Sequence, residues 1–342
     1  MHIKNLKKRR LRKVLLFFQF ILLGLVILTA FLIFQIDLIP REYIDKNALE
    51  QVELSGNFTN IALFGLDTRA DEPEEGARSD TIMIASLNNR TGEMRIVSVF
   101  RDTLMLQQNG TYDKANAAYA WGGPQQAIAM LNRNLDLDIE TYITVNFNSL
   151  SAIIDVLGGV DIEMTQEEIY WMNLYSADTA AHVGVPMPEW IDENQPGIHR
   201  LDGVQAVSFS RIRFTEGDDF RRTERQREVL DQVVHRMTRA NPVQLLRVRD
   251  EVIPQMSTNL TTEEVLLQVL NLVRLNMGEM RGFPFDVTTM DAIPGFYGSF
   301  VVPVDMSNNV RQLHGFLFGD ETYQVTDRAQ QISNDISFMT GI

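Results

Sequence analysis

Six arginines, Arg211, Arg213, Arg221, Arg222, Arg225 and Arg227, fall within 17 residues of the stretch SRIRFTEGDDFRRTERQRE, in a chain whose formal charge is −14. A guanidinium is a planar fork of donors that fits carboxylates and phosphates two bonds at a time. If 210–214 is extended, Arg211 and Arg213 point to one face, and on a helix from about 219 Arg222 and Gln226 share a face at i, i+4. Asp219 sits where an N-cap belongs, which puts Arg222 in the first turn beside free backbone N–H groups, a place that binds anions. The other reading of the same stretch is an exposed helix whose arginines pair with Glu216, Asp218, Asp219 and Glu224. Upstream, charged groups recur at the ends of apolar runs: Asp67 after 61–66, Arg78 and Asp80 before 81–87, and Arg101 with Asp102 after 94–100. Strand ends are where an open α/β sheet builds its ligand site. Asp67 and Asp80 are a carboxylate pair of the kind that holds Mg²⁺ together with waters and phosphate oxygens, and Arg78 and Arg101 could clamp the same phosphates. Taken singly, such residues also serve as turn formers and surface pairs.

Other chemistries are excluded. With no Cys there is no thiolate nucleophile, zinc thiolate site or disulfide scaffold. His2, His182, His199, His235 and His314 lack metal-ligand spacing, and no P-loop, nucleophile elbow or dinucleotide fingerprint occurs.

Elements to position these groups can be read from the pattern. The β-branched runs 61–66, 81–87, 94–100 and 142–147 predict buried strands. Pro124 opens a helix, residues 150–157 form another with a stop at Gly158-Gly159, and 160–164 is a strand. Helices follow at 202–210, about 219–239, 243–253 and 262–275, and a last strand at about 285–289 returns to the sheet. This order predicts an α/β protein, an α-β-α sandwich around a mixed central sheet.

Residues 14–36 are 23 uncharged, almost wholly apolar residues preceded by seven Lys/Arg within 1–13. As a helix this run reaches roughly 35 Å, enough to span a hydrocarbon core. The positive-inside rule places 1–13 in the cytoplasm and the rest outside, as a single-pass membrane protein. The run is too long for a signal peptide and lacks a small-residue cleavage site. Residues 37–55 form a juxtamembrane linker, and 56–342 one extracytoplasmic domain. Beyond the tail, 24 basic residues face 45 acidic ones, so nucleic acid is excluded as a general partner.

In order, GLDTR (65–69), RSDTIM (78–83), SVFRDT (98–103), KANAAYAWGG (114–123), FNSLSAIIDVLGGV (147–160), LDGVQAVSFSRIR (201–213) and DDFRRTERQ (218–226) resemble the LytR-CpsA-Psr family of bacterial cell-envelope proteins. These blocks lie within a core at about 60–240. Phe100 stands where that family usually has Pro. The resemblance implies a Mg²⁺-dependent phosphotransferase, of the type that joins teichoic acid to peptidoglycan. It would move a glycopolymer from an undecaprenyl-pyrophosphate carrier to a peptidoglycan hydroxyl, in the cell membrane of a Gram-positive-type bacterium. It assigns Asp67 and Asp80 to the metal, and Arg78, Arg101, Arg211, Arg213, Arg222 and Gln226 to the pyrophosphate, with Asp219 orienting the arginines. Arg78, Arg101 and Asp67 would act in the reaction itself; Asp67 or Asp102 could take the acceptor proton. The polyprenyl tail would lie in an apolar tunnel between sheet and helices. A non-catalytic receptor or scaffold for the same lipid, or a pyrophosphatase with water as acceptor, are the alternatives, and they differ in turnover and product. No protein partner and no particular polymer follows from the sequence. A transcriptional regulator does not fit 13 cytoplasmic residues and an acidic exterior.

Overall fold

A computed structural model describes residues 43–54, 56–68, 76–215, 217–260 and 276–342. The expected anchor at 14–36, the tail, part of the linker and the expected helix at 262–275 lie outside them. No helix among the described residues is long and apolar enough to cross a membrane.

Strands β1 (Phe58–Leu66), β2 (Ser79–Asn88) and β3 (Glu93–Val99) form an antiparallel meander. A short hairpin, β4 (Leu104–Leu106) and β5 (Tyr112–Lys114), leads to helix α1 (Ala117–Leu135). Then come β6 (Thr141–Asn146), α2 (Phe147–Val156), β7 (Val160–Met164), α3 (Gln166–Val183), β8 (Gly197–Leu201), α4 (Gly203–Arg211) and α5 (Asp218–Met237). After α6 (Pro242–Arg247), the short β9 (Ser257–Thr258) and β10 (Asn276–Phe283) join the main sheet, whose order is β10-β3-β2-β1-β6-β9. Strands β11 (Val287–Met290) and β12 (Phe300–Pro303) pair with each other, and α7 (Met306–Phe318) and α8 (Asp327–Thr340) close the chain. The sheet is mixed, because β6 runs parallel to β1 and β10 parallel to β3.

Alternation along the strands sorts side chains to two faces. Phe64, Ile84 and Val97 pack in one large core with residues of α1, α7 and α8, such as Ile128, Leu313 and Ile332. On the other face Met83, Ala85 and Ile96 meet Leu230 of α5. A second core, with Ile154, Met172, Phe209 and Val233, binds α2, α3, α4 and α5 to the β7–β8 hairpin. The expected α-β-α layering is therefore present.

Two local expectations need correction. The strand returning to the sheet is 276–283; residues 287–290 pair outside it. Residues 210–214 are not extended, since α4 continues through Arg211 and is capped at Ile212. A helical segment opens at Pro124 as expected; within α1 it follows a shorter segment from Ala117 across non-helical Gly122 and Gly123, the latter with φ of 61°.

Candidate active site

The β1–β2 pairing brings two site carboxylates to one end of the sheet's central strands. Leu66 pairs with Ser79 across a bulge, so Asp67 and Arg78 leave the sheet on neighbouring strands, with Asp80 one residue inside. From the end of β3, Arg101 Nη1 donates to Asp80 Oδ1 at 2.9 Å and its Nη2 lies 3.2 Å from Asp219 Oδ2. Arg222, the fifth residue of α5, donates to the Asp80 carbonyl at 2.8 Å and lies 3.2 Å from both Asp80 Oδ2 and Asp219 Oδ1. Arg213 Nη2 completes the set at 3.1 Å from Asp80 Oδ2. Three guanidiniums from three segments thus share two carboxylates, and the cluster keeps a formal positive charge.

Asp219 is not the N-cap. Gly217 holds that place with φ of 95°, and no side chain caps the helix there. The Asp219 carboxylate is instead turned to the arginines. Burial works against its charge, but Arg101, Arg222 and Arg213 hold its pKa below the ordinary carboxylate range. Arg222 is 4% exposed. Burial, above all, pushes its pKa down; Asp80 pulls it back, while Arg101 and Arg213 push further. It remains charged, and an arriving anion relieves the crowding.

Of this cluster, Asp80, Arg213 and Arg222 line a cavity of about 440 Å³ between the sheet and helices α2 and α5, while Arg101 and Asp219 border a small pocket that shares Asp80 and Arg222 with it. Asp67, Asp80, Arg211, Arg213, Arg222 and Gln226 line the cavity at its polar end. Deeper in, Leu63, Val145, Leu150, Ile153, Val229 and Val233 give it apolar walls. Protein interiors are close-packed, so an apolar space of this size is a binding feature. Gln226 joins Arg222 there, one helical turn on, as the i, i+4 spacing predicts.

The remaining site residues are placed differently. Arg211, at the end of α4, donates to Thr179 Oγ1 at 2.8 Å, pairs with Asp178 at 2.8 Å and lies 4.8 Å over the Phe147 ring. It lines the cavity outside the Asp80–Asp219 network. Arg78 is exposed and makes no ion pair among the described residues. Arg221 and Arg225 both bind Glu168, at 3.1 and 3.0 Å, a partner outside the stretch; Arg221 alone of the two also meets an interleaved acid, Glu224. Sequence reasoning did not assign Lys114 a role; its Nζ lies 2.6 Å from Asp102 Oδ1, while Arg101 Nε lies 3.4 Å from Asp102 Oδ2. The signal was the Asn109-Gly110 turn between two short strands, which folds Lys114 back opposite Leu104. Phe100, in the place usual for Pro, packs edge-on against Phe220 at 4.5 Å and ties the β3 end to the start of α5.

The LytR_cpsA_psr family model matches residues 39–297. The chain belongs to this family. Among its relatives, the polyisoprenyl-teichoic acid–peptidoglycan teichoic acid transferase TagU of Enterococcus faecalis is 29% identical over 225 residues, 65% of this chain and 67% of that protein. The biofilm regulatory protein A of Streptococcus mutans is 30% identical over 213 residues, covering 59% of this chain and 50% of its own. Aligned lengths thus span about half to two thirds of these relatives. The solved structure of TagT bound to LI-WTA aligns with TM-score 0.57 at 18% identity, covering 88% of this chain and 94% of that one. Protein gbs0355 of Streptococcus agalactiae aligns with TM-score 0.63 at 20% identity over 83% and 93%. The fold is that of these LytR_cpsA_psr structures.

Proposed function

We propose that the chain is a membrane-anchored phosphotransferase that moves a glycopolymer from an undecaprenyl-pyrophosphate carrier to a peptidoglycan hydroxyl. The observation that carries this reading is the juxtaposition of a three-arginine cluster with an apolar cavity: one ligand with a doubly phosphorylated head and a hydrocarbon tail satisfies both ends. The family relatives named for teichoic acid transfer support the choice of reaction. In it the acceptor oxygen attacks the sugar-linked phosphorus, a phosphodiester forms, the bridging P–O bond breaks and polyprenyl monophosphate leaves. The acceptor proton passes to Asp67, which lines the cavity, or to Asp102, beside Arg101.

Arg101, Arg213 and Arg222 bind the phosphates and stabilise the charge that gathers on the leaving group, and Asp80 and Asp219 keep them in place. Arg78, two residues before Asp80 and just ahead of β2, would join them when substrate is bound. The donor set fits a hard divalent ion: Asp67 and Asp80 line one cavity, and an Asp80 carboxylate bonded to three guanidiniums still has lone-pair capacity. No group of three or more carboxylate or imidazole ligands occurs among the described residues. Mg²⁺ there would therefore draw its other ligands from water and phosphate, and would supply charge neutralisation. A single-pass anchor at 14–36 would hold the site in the leaflet that contains the lipid.

The test is release of polyprenyl monophosphate from a lipid-linked saccharide, with and without peptidoglycan and with Mg²⁺ chelated. The reading expects release that needs both, with the saccharide recovered on peptidoglycan. Binding without release contradicts it, and so does release into water that is indifferent to the acceptor.

A further inference from the structure

A second cleft, of about 580 Å³, opens where helix α1 breaks. It lies on the α1 face of the sheet, opposite the first cavity: Tyr119, which lines it, meets the Phe64 ring of β1 at 5.2 Å within the α1 core. It also reaches Gly76, two residues before Arg78. The break is built for close approach. Gly123 has φ 61° and ψ −157°, a conformation that glycine alone adopts readily. A Cβ on Gly122 would lie 2.2 Å from Gln126 Oε1, so the Gln126 carboxamide folds back over the interrupted turn.

What the cleft offers a ligand differs from the first cavity. Trp121 is 47% exposed and Tyr43 90% exposed, and both line it. Three carboxamides, from Gln108, Gln125 and Gln126, border the same space. Gln125 Oε1 accepts from the Asp45 N–H at 3.0 Å, which leaves its NH₂ to donate. The Gln108 and Gln126 side chains make no hydrogen bond among the described residues. None of the lining residues among those described carries a charge. Phosphate demands cations and a lipid tail demands apolar walls, and this lining provides neither. An indole face accepts the C–H face of a sugar ring, whose hydrogens carry partial positive charge, and carboxamides both donate to and accept from hydroxyl and acetamido groups.

We propose that this cleft is a saccharide subsite that takes an uncharged, N-acetylated pyranose unit of a glycan chain. That the chain in question is the acceptor of transfer rests on the function proposed above; the binding itself does not.

The experiment uses the full-length chain in a sugar-free detergent, titrated calorimetrically with tri-N-acetylchitotriose, an uncharged acceptor-like chain, and with a glycerol-phosphate oligomer, a charged donor-like chain. The proposal expects chitotriose to bind, with affinity lowered at least tenfold in Trp121→Ala and in Gln126→Leu, and no competition from inorganic pyrophosphate. Melting temperatures identify a variant that fails to fold; the exposed Gln108→Leu then takes its place. The proposal is overturned by no chitotriose binding, by unchanged affinity in folded variants, by displacement with pyrophosphate, or by binding of the charged oligomer alone. Saccharide binding of the expected kind in a protein that shows no transfer would keep the subsite and remove the transferase reading.

Discussion

Arg78 and Arg222 sit at the same strand edge with opposite surroundings, one exposed and one buried, so their removal separates chemistry from folding. Arg78→Ala should leave the melting temperature unchanged while lowering the transfer rate by about 10²–10³, the usual cost of losing one donor to a developing charge. Arg222→Ala should abolish transfer and also cost about 1–3 kcal/mol of stability, because the Asp80 carbonyl and the Asp219 carboxylate lose a buried partner. Parallel transfer assays and thermal melts check both. Glu168, Arg221 and Arg225 make a different kind of cluster. Arg225 is 1% exposed, so Glu168→Gln leaves a buried cation with a weakened partner and should cost about 3–5 kcal/mol. Burial opposes the Glu168 charge, but the Thr165 N–H, Arg225 and Arg221 together hold its pKa below the ordinary value. Its contribution is therefore complete above the ordinary carboxylate pKa and fades as pH falls through the lowered one. Melts between pH 7 and pH 3 should show an acid loss in the parent that Glu168→Gln lacks. The paired reading of the arginine-rich stretch holds for Arg221, which meets Glu224 at 2.9 Å, but not for Arg225, which is buried against Glu168, while Arg222 and Gln226 line the cavity. Helical spacing separates them: Arg221 and Arg225 share one face, Arg222 and Gln226 the next. The partner that makes the first face structural, Glu168, lies more than fifty residues away, and local periodicity does not reveal it.

Element geometry holds the cluster together through the start of α5. Gly217 begins the helix at φ 95°, and a Cβ there would lie 3.2 Å from Arg221 Cβ. Gly217→Ala should cost about 1–2 kcal/mol through backbone strain and lower transfer by displacing Asp219 and Arg222; denaturant melts and the transfer assay together check it. The four strands that carry the site were legible because they are β-branched, short and bounded by turns. β10 was not: NMGEMRGF carries two glycines and alternates exposed with half-buried residues, as an edge strand does, so its pairing with β3 is set by tertiary contact. The expected extended segment at 210–214 failed for a related reason. A capping box between Asp202 and Gln205 starts α4 firmly, and the helix runs until Ile212 turns into the core beside Phe209. Arg211 and Arg213 thus reach the same cavity from a helix end and a loop instead of from one strand face.

At the scale of the molecule, two packed cores leave an unfilled space between sheet and helices, and the arginines close its mouth. Filling the space from within should act on the lipid and not on the phosphates. Leu150→Trp should reduce capture of polyprenyl pyrophosphate at least tenfold while leaving binding of inorganic pyrophosphate within twofold, about 1.4 and 0.4 kcal/mol; calorimetry with the two ligands checks this. The layered architecture followed from the order of apolar runs, but the cavity did not. Its walls read in sequence as ordinary core, since Leu150, Val229 and Val233 recur at helical spacing whether they meet other side chains or a ligand. The most direct test is a structure of the full-length protein with an undecaprenyl-pyrophosphate-linked saccharide. The account predicts both phosphates between Arg101 and Arg222, with the prenyl chain running inward past Val145, Leu150 and Val229. Phosphates held elsewhere, with Arg101 and Arg222 still paired only to Asp80 and Asp219 and the prenyl chain outside the cavity, would contradict it.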